Sequence, residues 1–293
     1  MPLCARIHFL ELNDQTWVPP YIRQKVQDCL TLAWTLKLPL IQSSSPAQLV
    51  SSTLLRILGR NVTDYVFVDF CAGAGGPTPT IERLLNRQLP PTAKRAPQAK
   101  SSKEPEAVRF LLTDLHPHIE AWEEAAKKSD NMGFVRESVD AANAPRDLLA
   151  SAQGDKKVFR LFNLAFHHFD DPLAAKILNN TLETADGFGI FELQDRTPSS
   201  LTTIFFMGLL FTLITPIFFW RSPGHLLFTY IIPIIPVILI FDGYISSLRT
   251  RSPEEVMGLL NNKISTANWD IRSGSEMHTW PLGHMIWIVG VKK

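Results

Sequence analysis

The chain opens with two stretches whose apolar residues recur at helical spacing. Over residues 21–36, Ile22, Val26, Leu30, Ala33 and Leu36 share one face, which predicts an amphipathic helix. A second helix carries its own punctuation. Ser45 is the N-cap, Pro46 the first helical residue and Gln48 the capping-box position; Val50, Leu54, Ile57 and Leu58 form the apolar face, and Gly59 marks the exit. Then the period changes. Residues 65–69 are β-branched, aromatic and finally acidic, as in a buried strand, and after Phe70 come only small residues up to Pro77 (C-A-G-A-G-G-P). Residues 78–89 return to helical spacing through Ile81, Leu84, Leu85 and Leu89. Strand, small-residue turn and helix form the nucleotide-binding unit of doubly wound folds. The turn lets a ligand approach the backbone, and the helix start offers free N–H groups.

The alternation continues. Residues 108–112 predict a second strand that runs out at Thr113, Asp114 and Leu115. Residues 133–139 predict a weaker third strand ending at Asp140, residues 158–164 a fourth, and residues 187–193 a fifth. Between the last two, Asp171 and Pro172 start a helix with Leu173, Ile177 and Leu178 inward. Ser252-Pro253-Glu254-Glu255 repeats the capping device ahead of Val256, Leu259 and Leu260, and residues 269–272 and 285–291 predict two terminal strands. The fold class expected is α/β, a doubly wound, mainly parallel seven-stranded sheet with an N-terminal helical cap. The organisation expected is a cap over residues 1–62, a cofactor-binding core over 63–198, an inserted hairpin over 199–247 and the rest of the core over 248–293. Residues 90–106 hold four prolines, four basic residues and no large apolar side chain, which predicts a mobile loop.

The insertion breaks the pattern. Residues 201–220 are uncharged, and at ~1.5 Å per residue they extend about 30 Å, the thickness of a bilayer's hydrocarbon core. A turn over residues 221–225 leads into a second uncharged leg, residues 226–241, which Pro233 and Pro236 should kink. Trp220, Tyr230 and Tyr244 lie near the ends, where membrane proteins carry aromatic belts. The expectation is a membrane-inserted hairpin, with full crossing and re-entrant insertion both open. The competing reading is a helical pair that covers a hydrophobic substrate cavity. Arg196, Arg249 and Arg251 flank the base, against Arg221 and His225 at the tip, so the folded domain is expected on the cytosolic side of an intracellular membrane such as the endoplasmic reticulum.

Composition narrows the partners. A net charge of +1 gives no electrostatic footprint for nucleic acid. Three cysteines suit a reducing compartment and predict neither a disulfide framework nor a zinc site. No signal peptide is expected from the first twenty residues, which lack a long apolar run.

Asp69, Gly73 and Gly75 follow the D-h-G-x-G-x-G motif, and the chain resembles class I S-adenosylmethionine (SAM) methyltransferases over residues 63–198 and more weakly over 252–293. Thr78 departs from the dinucleotide pattern G-x-G-x-x-G, which disfavours a nicotinamide-linked oxidoreductase. Cys71 stands where the family usually has its first glycine, and a cysteine there calls for an ordinary backbone conformation. The resemblance implies SAM as cofactor and a reversed last strand between strands five and six. It implies that Asp69, Ala72, Gly73 and Gly75 hold the methionine end, Asp114 with Leu115 the ribose, Asp140 with Ala141 the adenine, and that Asn163 faces the cofactor. The segment N-L-A-F-H-H-F-D-D resembles the post-strand-four signature of small-molecule methyltransferases, and the whole chain is similar to fungal methyltransferase-domain proteins. His167 and His168 are the candidate catalytic bases, with His116 and Glu192 behind them. No metal is expected, because His167-His168 lacks further ligands at zinc spacing. The function implied is methyl transfer to a lipophilic small molecule or lipid. A membrane-anchored, non-catalytic SAM-fold module is the alternative.

Overall fold

The computed structural model describes residues 2–89, 107–144, 156–261 and 266–293. The loop expected over 90–106 lies outside them. The sheet has seven strands in the order β3-β2-β1-β4-β5-β7-β6. They are β1 (Tyr65–Phe70), β2 (Arg109–Thr113), β3 (Met132–Phe134), β4 (Lys157–Asn163), β5 (Gly187–Glu192), β6 (Trp269–Thr279) and β7 (Gly283–Lys292). The first five are parallel, and β7 runs antiparallel between β5 and β6. This is the expected doubly wound sheet with a reversed strand inside its far edge.

Side-chain alternation explains why both faces are covered. Val66, Val68 and Phe70 of β1 point to one face, packing among Ile177, Leu178, Val256 and Leu260 of α5 (Asp171–Thr184) and α8 (Pro253–Asn261). Tyr65 and Phe67 point to the other, among Val50 and Leu54 of α2 (Pro46–Leu58), Leu85 of α3 (Thr78–Gln88) and Trp122 of α4 (Ile119–Ala126). Phe67 stacks on Phe110 and packs tilted against Phe159, each at 4.8 Å between ring centroids, which ties the three central strands together. Ser45 caps α2 by accepting from Gln48 N, and Gly59 closes it.

Three local expectations need correction. β3 spans only Met132–Phe134, because Arg136, Glu137 and Ser138 are exposed polar residues that a buried strand could not carry. Leu173 is 40% exposed, and Ala174 takes the inward position beside Ile177 and Leu178. The terminal strands are longer than their apolar stretches, since β6 is an edge whose outer residues face solvent.

The inserted hairpin consists of α6 (Pro198–Phe218), a short helical stretch over residues 223–231 and α7 (Ile234–Arg249). Pro233 sits at the break, where the second leg bends by 76°; Pro236 lies in the first turn of α7 and does not kink it. The legs approach closely: a Cβ on Gly208 would lie 2.3 Å from Ile240, and one on Gly243 2.7 Å from Ile204. The second leg also packs on α1 (Pro20–Thr35), with Val18, Ile22 and Val26 against Ile238 and Tyr21 edge-on to Phe228. The hairpin therefore lies along the cap helix. Residues 2–18 form a strap across its base: Leu3 N donates to Arg196 O, Ile7 N to Leu248 O, and Leu12 N and Asn13 N to the Asp242 carboxylate.

The arginines counted as basic flanks of the hairpin are structural. Arg196, Arg249 and Arg251 are all 5% exposed or less. Arg196 pairs with Glu255, Arg249 with Glu11, and Arg251 with Asp171. They brace the hairpin base, so they cannot be counted as an orientation signal.

Candidate active site

The carboxyl ends of β1 and β2 lie side by side, Phe70 opposite Thr113, and Asp69 lies opposite Leu161 of β4. Beyond β1 the chain turns through Gly73, whose φ of +53° an L side chain rarely adopts. The turn is held from two sides. Gly73 N donates to Asp114 Oδ2 at 2.9 Å, and Trp122 Nε1 donates to Gly73 O at 2.8 Å. His116 N donates to the other Asp114 oxygen. Asp114 thus pins the turn while its half-buried carboxylate keeps lone pairs for a further donor.

Asp69 sits beneath the turn, only 2% exposed. Its carboxylate accepts from Thr78 Oγ1 at 2.5 Å and Asn163 Nδ2 at 3.3 Å. Burial, aided by the charge of Asp114 and only partly offset by these bonds, pushes its pKa up to about 7. Asn163 Oδ1 is buried without a hydrogen-bond partner. Such an orphan is costly unless a ligand donates to it, and the ammonium of an amino-acid moiety would. The crevice fits the methionine end of SAM on that ground.

Around it, Ala72 is buried with its N–H on Thr113 O, and Gly75 N donates to Ala72 O. Leu115 is exposed on the rim, Asp140 is exposed and accepts from Ala142 N, and Ala141 is buried. Cys71 departs from expectation: its φ is +61°, the left-handed conformation that glycine usually supplies. The turn, fixed by Asp114 and Trp122, imposes this conformation on whatever residue follows Phe70. Burial also pushes the Cys71 thiol well above its ordinary range. Leu164, next to Asn163, has a φ of +53° as well. Left-handed non-glycine residues thus follow both β1 and β4, and strain of this kind concentrates at functional sites.

Leu164 and Gln27 also line a cavity of about 280 Å³ between the sheet edge, α1 and the hairpin. One end is apolar, with Val26, Leu30, Ile204, Met207 and Phe211. The other is charged. His167 Nδ1 lies 2.8 Å from Glu192 Oε2, and its Nε2 lies 3.5 Å from Glu11 Oε1. His168 Nδ1 lies 3.2 Å from Asp14 Oδ2, and its Nε2 lies 4.0 Å from Glu11 Oε2. Arg249 Nη1 donates to Glu11 Oε1 at 2.9 Å. For His168, burial opposes the charged form, but the hydrogen bond to Asp14 and the charges of Glu11 and Asp14 outweigh it and hold its pKa above the ordinary value. His278, on the same cavity, is driven down to about 4 by burial and is neutral.

The structure therefore places His167 and His168 on the cavity wall, with Glu192 behind His167, and leaves His116 exposed on the rim of the other crevice. Sequence reasoning missed Glu11, Asp14 and Arg249. Two acidic residues in the N-terminal stretch, and an arginine at the end of an oily helix, were the available signals.

No protein-family model matches the chain, and no curated protein matches it. Among solved structures, the chain is similar to a SAM-dependent methyltransferase from Anabaena variabilis, at 14% identity, full coverage of both chains and a TM-score of 0.48. It is also similar to the magnesium protoporphyrin IX methyltransferase of Synechocystis with bound SAM, at 8% identity over 96% of this chain and 88% of that one, TM-score 0.44. A putative zinc-dependent alcohol dehydrogenase from Rhodobacter sphaeroides is similar at 12% identity over 92% and 98%, TM-score 0.44. At these values the strand order and the crevice geometry carry the reading.

Proposed function

We propose that this chain is a membrane-attached SAM-dependent methyltransferase acting on a lipophilic small molecule or lipid. The observation that carries the proposal is the shared wall. Asn163 and Leu164 are adjacent residues, one turned to the glycine-turn crevice and the other to the half-apolar, half-charged cavity. In this reading Asp69, Ala72, Gly73, Gly75 and Asn163 hold the methionine end, Asp114 with Leu115 the ribose, and Asp140 with Ala141 the adenine. The sulfonium supplies an already activated methyl group. What remains for the protein is to align the acceptor, exclude water and accept a proton. The apolar end of the cavity takes the acceptor's body, and the His167–His168 end faces its reactive group. The likeness to fungal methyltransferase-domain proteins belongs to this proposal and names no acceptor.

Membrane attachment rests on the outer face of the hairpin. Among the described residues, α6 is the one helix long and apolar enough to cross a bilayer, and 22% of its apolar window is buried. Phe206, Leu209, Leu213 and Ile217 recur on its outer side, with Leu213 73% exposed. The inner side, with Ile204, Met207 and Phe211, lines the cavity. The hairpin thus serves both expectations at once, as cavity wall and as apolar face. Because it lies along α1, attachment side-on to one leaflet fits better than two legs crossing. Labelled SAM incubated with membranes and the full chain should place tritium in the organic extract, and Asp114→Ala should abolish the transfer. Failure of the wild type to label any extract, with SAM bound, would favour the non-catalytic module.

A further inference from the structure

We infer that Glu11, His167 and His168 form a binding site for one divalent transition-metal ion of the zinc class. One ligand atom from each lies within 4.8 Å of the other two. A shell with ~2.1 Å bonds puts tetrahedral ligands about 3.4 Å apart. The 3.5 Å and 4.0 Å separations between the imidazole Nε2 atoms and the Glu11 oxygens need only a small contraction to reach it.

Two further observations point to an ion. The first is orientation. Each histidine has its Nδ1 on a carboxylate, Glu192 for one and Asp14 for the other, and each turns its Nε2 toward Glu11. Carboxylate–imidazole–metal relays have this form, because the outer carboxylate fixes the tautomer and raises the basicity of the ligating nitrogen. The second is charge. Glu11, Glu192 and Asp14 touch the two rings, and Arg249 is the guanidinium in contact with them. When an ion takes the place of the imidazole protons, three carboxylates against one guanidinium leave two negative charges, around a centre in which Glu11, Glu192 and His167 are buried. A divalent cation cancels them. Arg249 donates to Glu11 Oε1, the oxygen 3.5 Å from His167 Nε2, so the ion takes Oε2, which lies 4.0 Å from His168 Nε2, and His167 must close on it. Spacing along the sequence could not place Glu11 beside the two histidines, because it arrives from the far end of the chain on the strap.

The ion's remaining positions face the cavity, where an oxygen of the bound molecule would complete the shell. The site stands whether or not SAM is the methyl donor, and its test uses neither donor nor acceptor. The full chain, stripped with chelator, is titrated with Zn²⁺ by calorimetry and with Co²⁺ by visible absorption. One equivalent should bind, with a cobalt band typical of four- or five-coordination. His168→Gln should abolish stoichiometric binding, Asp14→Asn should weaken it roughly 10–100-fold, and His116→Gln should leave it unchanged. Glu11→Gln also removes a partner of Arg249, so His168→Gln decides if that variant fails to fold. Absence of a stoichiometric site in the folded wild type, or equal affinity in wild type and His168→Gln, overturns the inference.

Discussion

The two halves of the candidate site are built in opposite ways. The glycine-turn crevice is made largely of neighbours: residues 69–78 supply a carboxylate, a glycine turn and a helix start, and Asp114, Trp122 and Asn163 close on them from elsewhere. The neighbouring cavity is made of strangers. Its charged end gathers Glu11 from the strap, His167 from beyond β4, Glu192 from β5 and Arg249 from the end of α7. The crevice is held by hydrogen bonds between its turn and a few side chains, and the cavity's charged end by ion pairs. The first should tolerate substitution of its neighbours, and the second should fail as a unit.

That contrast can be broken most sharply at Arg249. Arg249→Met leaves Glu11 buried without its cation and should cost about 3–5 kcal/mol in urea unfolding. Arg221→Met at the hairpin tip should stay within about 0.5 kcal/mol. Equal costs would mean that the base arginines are not braces. On the crevice side, Asp114→Ala removes two backbone-to-carboxylate hydrogen bonds and the proposed ribose contact. SAM affinity should fall by at least tenfold, in line with ~1.5–3 kcal/mol for bonds to a charged group, and vesicle binding should be unaffected.

The pH dependence sharpens the same side. Asp69 holds its proton up to about 7 when folded, whereas the unfolded chain releases it near 3.8. More protons on the folded form mean that stability falls as pH rises through this window and levels off above it. Asp69→Asn should flatten that slope in thermal melts recorded from pH 4.5 to 8; an unchanged slope would place the titration elsewhere. Leu213→Lys should reduce co-sedimentation with vesicles while shifting unfolding by no more than about 0.5 kcal/mol, since the side chain is already exposed. The smallest effect belongs to Cys71→Gly, which relieves a left-handed backbone and should stabilise by no more than ~1 kcal/mol.

Legibility followed the same division. Strand ends, caps and the glycine turn announce themselves over a few residues, so β1, α2 and Asp114 were readable from spacing alone. Asp69 was readable as a residue but not in its placement: the sequence cannot show that Thr78, noted for failing the dinucleotide pattern, would donate to it. Arg249 and Arg251 were visible as charges beside an oily segment and were misread as membrane flanks, because their carboxylate partners, Glu11 and Asp171, lie far away in the chain. The meeting of Glu11 with His167 and His168 was hidden for the same reason. Sequence spacing tests a site only when its ligands share an element.

The measurement that bears most directly on the account is calorimetric titration of the full chain with SAM and, separately, with NAD. The account predicts one SAM site that Asp114→Ala weakens, with NAD giving no heat of binding. Saturable NAD binding, or SAM binding indifferent to Asp114, would contradict it.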